Sequence, residues 1–198
     1  MMTERGIVVV HTTILRWVQR YVPEFKKRWN HYARPVGNSW RVDETYIKIR
    51  GAWKYLYRAV DKEGLTVDFL LSEHRDIAAA KRFFTQAIVK HEAPAKITLD
   101  GYEASHQAVS DLKKTGVLPD NTLVRTSKYL NKIIEQDHRR IKQRIRPMLG
   151  FKVFNNAAIT ISGIELVQKI RKGQFDLTAL HQGTQSPVHQ IWDIALAA

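Results

Sequence analysis

Cysteine is absent from the 198 residues, so a disulfide framework and a thiolate metal site are both excluded, and only histidine and carboxylate side chains remain to hold a metal. Long apolar runs are missing as well. No stretch approaches the ~18 to 20 residues of a membrane span, and the N-terminus MMTERGIVVVHTT lacks the basic flank, apolar segment and small-residue cleavage site of an export signal. A cytoplasmic protein without a membrane span is the expectation. Acidic residues are scarce: 19 Asp and Glu stand against 32 Lys and Arg, and the resulting charge of +13 favours a polyanionic partner, nucleic acid or an anionic membrane surface.

What is present argues for a globular chain. Apolar residues make up 44%, aromatics 10%, and five Trp residues supply the bulk for one sizeable core with a small appendage. The positive charge is clustered. Between Lys128 and Lys152 lie Lys128, Lys132, Arg139, Arg140, Lys142, Arg144, Arg146 and Lys152, opposed only by Glu135 and Asp137, which predicts a phosphate-binding face.

Along the chain, Thr12 or Thr13 offers an N-cap for a short amphipathic helix with Ile14, Trp17, Val18 and Tyr21 at i, i+3, i+4 and i+7, expected to stop at Pro23. Its exposed face would carry Thr13, Arg16, Gln19 and Arg20, in the manner of the second helix of a helix-turn-helix. The pattern alone favours an ordinary surface helix. Lys26 to Asn38, with Pro35 and Gly37, reads as a linker, which places the domain boundaries at 1–38, 39–175 and 176–198, the last a loosely ordered tail. Trp40–Ile49, Ala52–Val60 and Thr66–Leu71 predict three antiparallel strands parted by Arg50-Gly51 and by Asp61 to Gly64. A helix from Asp76 to Lys90 capped by Asp76, a strand Ala95–Leu99, a helix from Tyr102 to Thr115, a strand Thr122–Thr126 and a basic helix from an Asn131 cap to Arg146 complete an α/β order, β-β-β-α-β-α-β-α, for a mixed sheet flanked by helices. A last helix, Ala157 to Lys172, has its apolar stripe on Ile159, Gly163, Leu166 and Ile170.

Three acids occupy positions from which this architecture lets them converge: Asp43 inside the first strand, Asp100 just past the fourth, and Glu135 in the first turns of the basic helix. Convergent carboxylates suit hard cations such as Mg²⁺ or Mn²⁺, and two such ions roughly 3.5 to 4 Å apart serve phosphodiester displacement. Asp100 beyond a strand end also stands where α/β sheets place their ligands. Each acid has a plainer role open to it, Asp100 as a helix cap and Glu135 as a partner of the helix dipole. Asp43, between Val42 and a Tyr46 expected to be buried, would be costly without a partner; Glu44 is a rival that strand alternation leaves open. His138 reads as a phosphate or packing contact. Asp137, roughly 200 degrees round the helix from Glu135, should not share its site.

The runs Trp40-Arg-Val-Asp-Glu-Thr-Tyr46, Trp53 to Asp61, Thr98-Leu-Asp100, Asn131 to Lys142 and Leu149-Gly-Phe-Lys152 resemble the bacterial and archaeal transposases of the insertion sequence six family, over nearly the whole chain. The resemblance implies a ribonuclease-H-like fold preceded by a partial helix-turn-helix, and an Asp-Asp-Glu metal triad of Asp43, Asp100 and Glu135. It also implies that Lys142, seven positions after Glu135, contacts DNA near the scissile phosphate. Two metal ions, terminal inverted repeats and target DNA as substrates, a homo-multimer to hold two ends, and a location at the nucleoid follow from the same likeness. Met1 falls inside the helix-turn-helix motif, from which weakened recognition of the repeats is expected. Two other functions remain open: a DNA-binding regulator without catalysis, and a plain nuclease of ribonuclease-H type.

Overall fold

The computed structural model of the chain describes residue 6 and residues 9–127, 132–148 and 150–176. Lys128, the Asn131 cap, the side chain of Lys132 and the tail from residue 177 lie outside the described residues. Two compact units emerge, one spanning Pro35–Phe151 and one formed by Met1–Arg34 with Lys152–Ala198.

The first unit is built on five strands: β1 (Ser39–Ile49), β2 (Ala52–Asp61), β3 (Thr66–Ser72), β4 (Lys96–Leu99) and β5 (Leu123–Thr126). Their order across the sheet is β3-β2-β1-β4-β5, with β1, β2 and β3 antiparallel and β4 and β5 parallel to β1. This is the mixed five-stranded sheet expected of a ribonuclease-H-like fold. Arg50 and Gly51 both take positive φ, 51° and 79°, the conformation that a two-residue hairpin demands, and the turn sets Ile49 opposite Ala52. Every later β1–β2 pair follows from that register, including Asp43 opposite Arg58 and Lys48 opposite Trp53.

Helices cover both faces. α2 (Ile77–His91) begins as expected at Asp76, whose carboxylate accepts the Ala79 N–H at 2.7 Å, and α3 (Glu103–Lys114) packs beside it. Between them and the sheet lies the core of Trp40, Val42, Tyr57, Phe83, Phe84, Ile97 and Leu99. Opposite, α4 (Lys132–Ile145), followed by a 3-10 turn at Arg146–Met148, lies against β1 and β2 with Ile134 and Ile141 buried. Asp137 points inward from α4 to the fully buried Arg58 of β2. That ion pair turns Asp137 into the interior, whereas Glu135 on the same helix is exposed.

The β1–β2 hairpin corrects one expectation. β4 pairs with β1 only at Ser39, Trp40 and Arg41, so the outer half of β1 projects past its neighbour, and Tyr46 is 46% exposed rather than buried. Its ring instead meets Trp53 and Tyr55 at centroid distances of 6.3 and 5.5 Å.

In the second unit α1 (His11–Asn30) runs straight through Pro23, where a stop is expected. An internal proline costs a helix ~3 kcal/mol. Burial further along offsets it: Trp29, within the segment expected to be linker, is 1% exposed and packs with Leu166, Ile170 and Phe175. Val10, not a threonine, holds the N-cap position, with no side-chain cap. Thr13 is half-buried, Gln19 is turned towards Asn156 and Thr160, and Arg16 and Arg20 are exposed, while Ile14, Trp17 and Tyr21 of the apolar stripe are also exposed. α5 (Phe154–Arg171) is buried on more than the expected stripe, with Ala157, Thr160, Ile161 and Gln168 covered. A methyl group at Gly163 would meet Val22 Cγ2 at 2.9 Å, so glycine permits the close approach of α1 and α5.

Candidate active site

Asp43 and Asp100 reach one another because β1 and β4 are parallel neighbours: Arg41 pairs with Thr98, and each chain delivers its acid two residues later. With Glu44 they form a cluster in which one carboxylate oxygen of each lies within 4.8 Å of the others, a spacing that could hold a cation. Backbone amides hold the two aspartates in place. Asp43 Oδ1 accepts the N–H of Glu44 at 2.9 Å and Asp100 Oδ1 that of Tyr102 at 3.0 Å, while His106 Nε2 sits 2.7 Å from the Asp100 carbonyl oxygen.

Glu44 belongs to this cluster by distance, but its bonding sets it apart. Pointing to the opposite face of β1 from Asp43, it is nearly sealed from solvent, and both oxygens are engaged: Oε1 accepts from the Ser105 hydroxyl at 2.7 Å and Oε2 from Arg75 Nη2 at 2.9 Å. Arg75 extends the arrangement, lying 3.8 Å from Asp100 Oδ2 and stacking over Tyr102 with its guanidinium 3.6 Å from the ring centre. Glu44 is thus the anchor of Arg75, which in turn borders Asp100. The geometry favours Asp43 over its neighbour as the open carboxylate, a choice that strand alternation leaves undecided.

Burial pushes the Glu44 carboxyl above its ordinary value of 4.5, against the pull of the hydrogen bonds from Ser105 and Arg75 and helped by the charge of Asp100. A raised acid pKa means that the folded chain holds a proton the unfolded chain has released. Its stabilising contribution is therefore complete below the ordinary carboxylate range and is lost as pH rises through the raised value. Glu44→Gln should flatten this decline when denaturant midpoints are measured from acid to neutral pH; parallel curves for the two proteins would show that Glu44 carries no such penalty.

Glu135 stands on the exposed first turn of α4, outside the close cluster. Its helix face is nonetheless tied to Asp43. His138, one turn further on, is buried with Nε2 3.2 Å from Asp43 Oδ2, an approach off the line of a good hydrogen bond. His138 is accordingly a packed neighbour of the site. From Glu135 the same side of the helix continues to Arg139 and Lys142, both exposed, and Arg140, Arg144 and Arg146 are exposed too. Arg75, Ser105 and Tyr102 are the site residues that sequence reasoning misses: a lone arginine before a helix cap carries no pattern.

Comparison with known proteins supplies the remaining findings. A family model described as a DDE domain matches residues 37–174. The chain is 39% identical over 188 residues to the transposase for insertion sequence-like element IS431mec of Staphylococcus aureus, covering 95% of this chain and 81% of that protein. It is 38% identical over 187 residues to the Staphylococcus aureus transposase for element IS257 in transposon Tn4003, covering 94% and 81%. Among solved structures, the catalytic core domain of BIV integrase superposes with a TM-score of 0.49 at 14% identity, covering 81% of this chain and 97% of that one.

Proposed function

The chain belongs to the insertion sequence six family of DDE-domain transposases, and from that premise we propose that Asp43, Asp100 and Glu135 form the metal-binding triad of a DNA cleavage and strand-transfer site. The observation that carries this reading is the convergence of Asp43 and Asp100 from adjacent parallel strands, with oxygens already within the reach of one cation. Glu135 joins them as the acid one helical turn ahead of the residue packed on Asp43.

The donor set fits hard divalent ions, Mg²⁺ or Mn²⁺, because every ligand offered is a carboxylate oxygen. Bound there, a pair of such ions supplies activation of the attacking oxygen and offsets charge at the phosphorus in an in-line displacement. The protein's own residues do the rest. Amides of Glu44 and Tyr102 orient the two aspartates, Arg75 lies at the edge of Asp100, and the exposed cations of α4 hold the polyanionic backbone. Water at an element end and then the freed 3′ hydroxyl at target DNA are the two nucleophiles of the sequence, with no covalent protein intermediate. Two ends must be held together, so a homo-multimer acting on terminal inverted repeats and target DNA is part of the proposal. Among the described residues no helix is long and apolar enough to cross a membrane.

A strand-transfer assay with pre-cleaved element ends and a plasmid target tests the reading. Joined product should form with Mg²⁺ or Mn²⁺ and fall below detection when the metal is chelated. Joining that persists undiminished after chelation would remove the metal site from the reaction. Binding of the ends without joining, under conditions in which a related transposase joins them, would favour the regulator instead.

A further inference from the structure

Beyond the acids, an open cleft of about 910 Å³ straddles the projecting edge of β1. On the face of the hairpin turned away from α4, Tyr46 and the 60% exposed Trp53 stand 6.3 Å apart and nearly perpendicular, with Lys48 Nζ 5.7 Å from the Trp53 ring. Across the strand edge, on the side of α4, the cleft is lined by Arg139, Lys142 and Arg146 from the end of that helix and the turn that follows. At one end the cleft is linked to the acids through Arg75. Arg75 donates to the Tyr46 hydroxyl at 3.1 Å while lying 3.8 Å from Asp100, so a single side chain separates the first aromatic ring from a metal ligand.

Exposed aromatic residues and arginine are both enriched at interaction surfaces, and this cleft is lined by two of the first and by four cations. A duplex offers phosphates but keeps its base faces stacked within the helix. An unpaired strand offers phosphates and free base faces together, which is the chemistry of single-strand binding: a basic groove with aromatic side chains on which bases stack. We propose that this cleft binds unpaired nucleotides of the DNA strand next to the scissile phosphate, with Tyr46 and Trp53 stacking the bases and Lys48, Arg139, Lys142 and Arg146 holding the phosphates. The inference rests on the transposase reading of the acidic site and adds to it a locally melted DNA end as the substrate form.

The test uses the full chain and a pre-cleaved duplex end carrying a short unpaired overhang, in one version with bases and in another with abasic sugars at those positions. Affinity is read by fluorescence anisotropy, and stacking by quenching of 2-aminopurine in the overhang. The unaltered protein should bind the version with bases about five- to a hundredfold more tightly, the range one stacked base contributes. In Trp53→Ala and Tyr46→Ala this ratio should shrink and the quenching weaken, whereas Trp53→Phe, which keeps an aromatic face, should retain most of both. Trp53 is largely exposed, and thermal melts of each variant check that the fold persists. Equal affinity of the unaltered protein for the two versions overturns the proposal, and so does an unchanged ratio in Trp53→Ala. Joining of blunt pre-cleaved ends by the same preparation separates the two levels: joining without any preference for bases overturns the cleft alone, whereas neither binding nor joining overturns the underlying reading as well.

Discussion

Asp100→Asn is expected to lower metal-dependent joining by about a thousandfold or more, with Asp43→Asn and Glu135→Gln close behind. An amide keeps the shape of the carboxyl group, and its oxygen can still accept the Tyr102 N–H, so the loop after β4 should stay in place. What disappears is a charged ligand. Loss of charge stabilisation at the reacting phosphate amounts to several kcal/mol, and each 1.36 kcal/mol is tenfold in rate. Glu44→Gln is the instructive companion, because Glu44 lies in the same close cluster but holds Arg75 and Ser105 with its two oxygens. Acting through Arg75, it should cost about tenfold. Single-turnover joining of pre-cleaved ends, with thermal melts alongside, separates lost chemistry from lost fold. A severe defect in Glu44→Gln together with a mild one in Glu135→Gln would transfer the third ligand to Glu44 and sink the assigned triad.

The largest effect on stability should come from parting Arg58 and Asp137. Both are almost completely buried, Arg58 at 0% and Asp137 at 5% side-chain exposure, and they join the middle of β2 to the inner face of α4. Removing one member takes the buried counter-charge away from the other, a change that costs about 3 to 5 kcal/mol for buried pairs. Arg58→Met and Asp137→Leu should each lower the urea-derived stability by that amount. The double variant should lose less than the sum of the two single losses, because neither charge is then left facing the place of the other. Losses below about 1 kcal/mol for both single variants would show that the pair is already hydrated in solution. Activity should fall with stability here, because the same helix packs His138 on Asp43 and carries Glu135, the proposed third ligand.

Much of this arrangement was legible in the residues themselves, and the exceptions have physical reasons. The three leading strands stood out through β-branched and aromatic runs broken by Arg50-Gly51 and Asp61 to Gly64, and α2 through the Asp76 cap, because these signals are local. Pro23 misleads for the opposite reason: a local breaker is overridden by the burial of Trp29 in a distant cluster. Tyr46 misleads because alternation says which face a side chain takes, not whether anything covers that face, and α2 and α3 leave the outer hairpin open. Asp43 and Asp100 were legible as a pair from strand order. The residue pattern alone left Asp43 and Glu44 open and the family resemblance chose Asp43; the Arg75 and Ser105 contacts that occupy Glu44 join residues far apart in the chain, beyond the reach of local pattern.

The sheet order has a consequence for how the molecule assembles. On one side β1 meets β2 across a two-residue turn, and β3 follows after another short connection, so this meander closes at small entropic cost. On its other side β1 must find β4, delivered only after α2 has been threaded. Contacts of long sequence separation form late and slowly. The hairpin half of the sheet can therefore form early, with Asp43 opposite Arg58, and the mutual repulsion of Asp43 and Asp100 arises only when β4 docks and the core of Phe83, Phe84, Ile97 and Leu99 closes over the opposite face. Charge crowding that would obstruct a nucleus is deferred to the last stage of folding, where accumulated burial outweighs it.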